Sequence, residues 1–111
     1  MSLDAWTPAG RPGTVFFDRR ELGLILRVYG RMVGLGEWRD YSIDVLPEAV
    51  SFCVFRHASE SPLYRIEKRP ALARRQGMWA VIGQGGHVLK RGRELEPVLK
   101  VFDRRRLTLV E

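Results

Sequence analysis

The chain has 111 residues, one domain's worth, and 45% of them are apolar, enough for a core without staples. Cys53 is its single cysteine, which excludes an intramolecular disulfide and a cysteine-based zinc site within one chain. The net charge is +6, and sixteen of the nineteen basic residues are arginine, so the acidic, disordered class is excluded as well.

Residues 1–14 carry Pro8, Gly10, Pro12 and Gly13 without a hydrophobic period and read as a flexible N-terminal arm, leaving 15–111 as one domain. The start has neither a basic nor an apolar leader-like stretch. No run reaches the roughly 20 apolar residues of a membrane helix. A cytoplasmic setting without membrane contact is therefore expected, in keeping with the absence of a disulfide framework.

The first strong element begins at Asp18. Asp18 and Glu21 have capping-box spacing, and Leu22, Ile25, Leu26, Tyr29, Met32 and Val33 recur at helical intervals. Gly34 and Gly36 supply the stop, so the spacing predicts a helix over about 18–34. Tyr41, Ile43 and Val45 alternate with Asp40, Ser42 and Asp44, the pattern of a half-buried strand. Val50 to Arg56 is almost continuously apolar and reads as a central strand, and Leu63 to Lys68 as a third. Pro70 to Gly77 has Pro near its start and Gly at its end, the asymmetry of a short helix. Met78–Ile82 and His87–Arg91 flank Gly83-Gln84-Gly85-Gly86 as a hairpin. Leu95, Val98, Leu99 and Phe102 make a last helix, with Pro97 confined to its first turn. Leu107–Val110 alternates weakly, as an added edge strand would. The order predicts an α+β fold: an antiparallel meander of about five strands with two main helices on one face, and a short helix between strands three and four.

Chemistry is sparse. His57 and His87 are the only histidines, and neither has a metal-ligand partner at short spacing, so no metal and no cofactor are expected. Cys53 sits in the most apolar strand and reads as a small hydrophobe. His57 lies four residues on, roughly 13 Å along an extended strand, too far to activate it. Ser59 and Ser61 around Glu60 suit a polar turn better than a nucleophile. The Gly83–Gly86 cluster lacks both the phosphate-loop ending and the third glycine of a dinucleotide fingerprint. An enzyme built around Glu37, Arg39, Asp40, His57 and Glu60 is the least favoured reading, and no catalytic residue is assigned.

The basic residues are the outstanding feature. From Pro62 to Arg106 there are 12 Lys+Arg against 4 Asp+Glu, whereas the rest of the chain holds 7 against 9. Arg104–Arg106 suit a helix C-terminus through the dipole alone. In a meander, the end of the third strand, the start of the fourth and the end of the fifth share one end of the sheet. Arg65, Lys68, Arg69, Arg74, Arg75, Lys90, Arg91 and Arg93 are thus a candidate anion-binding patch, with Tyr64 and Trp79 as stacking surfaces. The competing reading is an ordinary solvated surface in an arginine-biased genome. The expected partner is a polyanion, nucleic acid ahead of a small phosphate compound. The alternative is a protein-interaction module acting as a homodimer, with the exposed strand edges, Trp38 and Arg39 at its contact.

Five segments together carry a resemblance: Phe17-Asp18-Arg19-Arg20-Glu21-Leu22, Tyr29-Gly30-Arg31-Met32-Val33, Gly36-Glu37-Trp38-Arg39-Asp40-Tyr41, Pro62-Leu63-Tyr64-Arg65-Ile66-Glu67-Lys68 and Leu89-Lys90-Arg91-Gly92. Over about residues 15–110 the chain resembles a family of small alphaproteobacterial proteins, domain-of-unknown-function family 2794. The resemblance implies a bacterial, cytoplasmic, stand-alone domain. It brings no activity, ligand or site residue with it.

Overall fold

The computed structural model describes residues 14–57 and 61–103. Helix α1 (Arg19–Gly34) opens on the expected box: the Asp18 carboxylate accepts from Glu21 N–H at 2.8 Å, and Glu21 Oε1 accepts from Asp18 N–H at 2.9 Å. It closes on Gly36, whose φ of +80° only glycine adopts freely. There Gly36 N–H reaches Val33 C=O and Glu37 N–H reaches Met32 C=O, the paired bonds of a Schellman stop.

Five strands follow: β1 (Asp40–Leu46), β2 (Ala49–Phe55), β3 (Tyr64–Lys68), β4 (Trp79–Gly83) and β5 (Val88–Gly92). They form one antiparallel sheet in the order β1-β2-β3-β4-β5, the predicted meander. Pro70–Leu72 is a single 3-10 turn. Helix α2 (Leu95–Leu99) is much shorter than α1, and the chain is helical again over 101–103. The arm (1–13), the turn residues 58–60, Arg104–Arg106 and the suggested strand at Leu107–Val110 lie outside the described residues.

Strand alternation gives the sheet two unlike faces. Phe52, Val54, Ile66, Trp79 and Val81 join α1 and α2 in one core cluster on the helix face. The opposite face, free of helices among the described residues, carries Ser51, Cys53, Arg65, Glu67, Ala80 and Arg91. β2 is central as predicted, with six of its seven residues buried.

Helix α1 is rolled relative to the expected stripe. Ile25, Val28 and Met32 are buried, while Leu26 and Val33 stay 38% and 40% exposed. Helix α2 meets α1 on its Leu24–Val28 side and draws that side inward.

Candidate functional site

The meander puts Lys68, Trp79 and Gly92 side by side, so the three strand ends do share one end of the sheet. The period of two then divides the basic residues. Lys68 points to the helix face, and Arg65 and Arg91 to the open face.

Lys68 is occupied within the fold. Its Nζ lies 2.7 Å from Glu21 Oε1, 3.0 Å from Phe16 C=O and 5.7 Å above the Trp79 ring. Arg69 is bound to Glu67, Nε to Oε2 at 2.7 Å. Trp79 is 2% exposed and stacked on Phe17, so its indole offers no open face, and half-buried Tyr64 packs edge-on against Phe102.

A tighter basic group gathers around Gly77. This glycine has φ +103°, and a Cβ there would meet Gly92 C and O at 2.5 Å. The close approach of two backbones lays the turn bearing Arg74 and Arg75 against the end of β5. Arg93 follows immediately, and Arg91 Nη1 donates to Gly77 C=O at 3.2 Å. Arg74, Arg75, Lys90 and Arg93 are exposed, and no acidic side chain pairs with them among the described residues. Arg65 stands apart, two strands away beside Cys53.

Cys53 is fully shielded although no helix covers its face. Asp44 and Arg65 flank it from β1 and β3, and its Sγ donates to Asp44 Oδ2 at 3.6 Å. Burial, followed by the nearby Asp44 charge, pushes the thiol up to about 11. It is therefore protonated at neutral pH and a poor nucleophile. Ser51 Oγ, two residues back on the same face, is buried without a hydrogen-bond partner.

Glu37 pairs with Arg56 at 3.6 Å, His57 and His87 are exposed, and Ser59 and Glu60 lie outside the described residues. Among the described residues no group of three His, Cys, Asp or Glu is placed to hold a metal ion. A shallow cleft of about 160 Å³ between α1 and α2 is lined by Arg27, Arg31, Glu96, Lys100 and Asp103. It is below the usual size of a small-molecule pocket. No helix among the described residues is long and apolar enough to cross a membrane.

Trp38, one of the side chains expected at a pairing contact, does not lie at the surface. Trp38 is 1% exposed and packs edge-on against Phe102 at 5.0 Å; as a core residue it offers no contact to a partner. Its burial follows from the Schellman stop, which turns the chain back under α1. Arg39 is exposed at the start of β1. On the sheet, three exposed apolar side chains lie together on β1: Tyr41, Ile43 and Val45 are 47%, 43% and 47% exposed, and Val88 on β5 is also 47% exposed. The β1 alternation was visible in the sequence, but it reads as a covered face; among the described residues Tyr29 of α1 meets it at Tyr41.

Searches of curated proteins and of solved structures found no match. A family profile matches residues 15–99, most of the chain. Helix α1, all five strands and α2 fall within those limits, and on this match the chain belongs to the family described as protein of unknown function (DUF2794).

Proposed function

We propose that this domain is a non-catalytic binding module for a polyanion, nucleic acid ahead of a small phosphate compound, in a cytoplasmic setting. One observation carries the reading: Arg74, Arg75, Arg91 and Arg93 gather around the Gly77–Gly92 backbone contact, and among the described residues only Arg91 is tied, by one bond, to the fold. Arginine forks onto phosphate with two parallel hydrogen bonds, so a small cluster of unpaired arginines suits a phosphate backbone. Lys90 extends the charge along β5, while Arg65 lies apart on β3. Lys68 and Arg69 contribute position only, since Glu21 and Glu67 hold them. Phosphate contacts without base readout give weak sequence selectivity.

The test is fluorescence anisotropy with labelled single- and double-stranded oligonucleotides over a salt series. The Arg74→Glu/Arg75→Glu variant should bind at least about tenfold more weakly, with a salt slope smaller by about 2. No binding by the wild type at low salt overturns the reading.

A second reading, an interaction module that pairs with another copy of itself, is favoured by the β1 edge, which no strand pairs among the described residues.

A further inference from the structure

We propose that β1 is a self-pairing edge: two copies join antiparallel through it into one ten-stranded sheet, with Ile43 on the two-fold axis. This rests on the second reading above and specifies its surface and register.

Three observations carry it. The first is the backbone. The two-residue turn at Pro47–Glu48 makes Leu46 and Ala49 a bonded pair. By the alternation of an antiparallel ladder, Leu46, Asp44, Ser42 and Asp40 then bond to β2. The N–H and C=O groups of Tyr41, Ile43 and Val45 point outward. A seven-residue strand with no Pro, Lys or Arg in it leaves this edge open.

The second is the side chains. Those same three residues carry the exposed apolar surface, all on the helix face. A two-fold axis perpendicular to the sheet keeps both α1 helices on that face. Six apolar side chains, three from each copy, then lie between the two helices. Leu26 and Val33 lie on the Tyr29 flank of α1 by helical spacing, and Tyr29 meets Tyr41 at 5.0 Å, so they widen the same surface.

The third is charge, which selects the register. With Ile43 on the axis all seven residues of β1 pair. Asp44 then faces Ser42 of the second copy, and Asp40 faces Leu46. Centring on Ser42 sets Asp40 against Asp44, and centring on Asp44 sets that residue against itself; like charges directly opposite are unfavourable. The Ile43 register also lays Arg39 beside Pro47 and Glu48 of the second copy, at both ends. Arg39 and Glu48 are exposed and unpaired among the described residues.

The experiment uses the full chain. Light scattering on a sizing column at high micromolar concentration should give twice the 12.8 kDa chain mass. Ile43→Pro removes an N–H that the monomer's sheet does not use, and should halve the mass while far-ultraviolet dichroism is kept. Ile43→Lys should do the same if proline disturbs the strand. In a Cys53→Ala background, Ile43→Cys should oxidise to a covalent dimer, since a bonded pair sets Cα atoms about 5.5 Å apart, within disulfide range. Asp44→Cys should not. A wild-type monomer overturns self-pairing altogether. If such a monomer protects the Tyr41, Ile43 and Val45 amides from exchange, the chain's own residues occupy the edge. A dimer that survives both Ile43 substitutions lies on another surface, which overturns the β1 assignment but not self-association. A dimer lost with Ile43→Pro that crosslinks through Asp44→Cys, and not through Ile43→Cys, overturns the register alone.

Discussion

The two edges of the sheet are built differently. β5 is five residues long, carries Lys90 and Arg91, and faces a register shift between Val81 and Ile82. Each of these disfavours a further strand. β1 is seven residues long and has none of them; its two aspartates lie on the open face, away from its apolar side chains. Short, shifted and cationic on one side against long and regular on the other: among the described residues, β5 carries features that disfavour strand addition and β1 does not. The same division separates the two binding readings, with the arginine cluster against β5 and the pairing surface on β1.

The largest effect is expected where the β5 side is locked. Gly77→Ala combines a positive φ with a clash against the Gly92 backbone, and should cost about 2–4 kcal/mol, read from the denaturant midpoint. It should also weaken oligonucleotide binding by displacing the turn of Arg74 and Arg75. Next comes Lys68→Met, which leaves the mostly buried Glu21 carboxylate without its cation; the expected loss is about 2 kcal/mol, less than for a fully buried pair. Smaller is the pH effect at Cys53. Its folded pKa is raised above an ordinary value of 9.0 to about 11, so its stabilising share is complete below pH 9 and fades as pH rises towards 11. Urea melts across that window should fall more steeply for the wild type than for Cys53→Ala. The smallest stability change belongs to Val45→Lys, which gives β1 the lysine that β5 already has. Chain stability should shift by no more than about 0.5 kcal/mol, and any dimer should be lost.

Much of the fold was legible because its signals are local. Asp18 and Glu21 mark the start of α1 within one turn, and Gly36 marks its end. The period of two in 40–45 and the almost continuously apolar run in 50–55 separate an edge from a centre. The shared end of β3, β4 and β5 follows from meander order alone. What the sequence hid depends on which neighbour packs where. Lys68 and Arg69 look equivalent in a string, but alternation sends only Lys68 to the helix face, where Glu21 meets it from 47 residues away. Trp38 looks like an anchor beside a loop, yet the Schellman turn folds it under α1. Leu26 and Val33 fit a buried stripe until α2 rolls the helix away from them. The spacing of Leu95, Val98, Leu99 and Phe102 reads as one helix, but α2 ends at Leu99, the chain is helical again only over 101–103, and the final arginines lie outside the described residues.

One carboxylate oxygen ties helix nucleation to sheet formation. Glu21 Oε1 receives both the Asp18 N–H that completes the capping box and the Lys68 ammonium at the end of β3. A first helical turn ordinarily frays on its own, since few groups hold it. Here, opening that turn also releases a lysine from the sheet and uncovers the Trp79 ring beneath it. Amide exchange at the start of α1 should therefore proceed with global unfolding, at the rate of the central strands, and Lys68→Met should return it to local fraying.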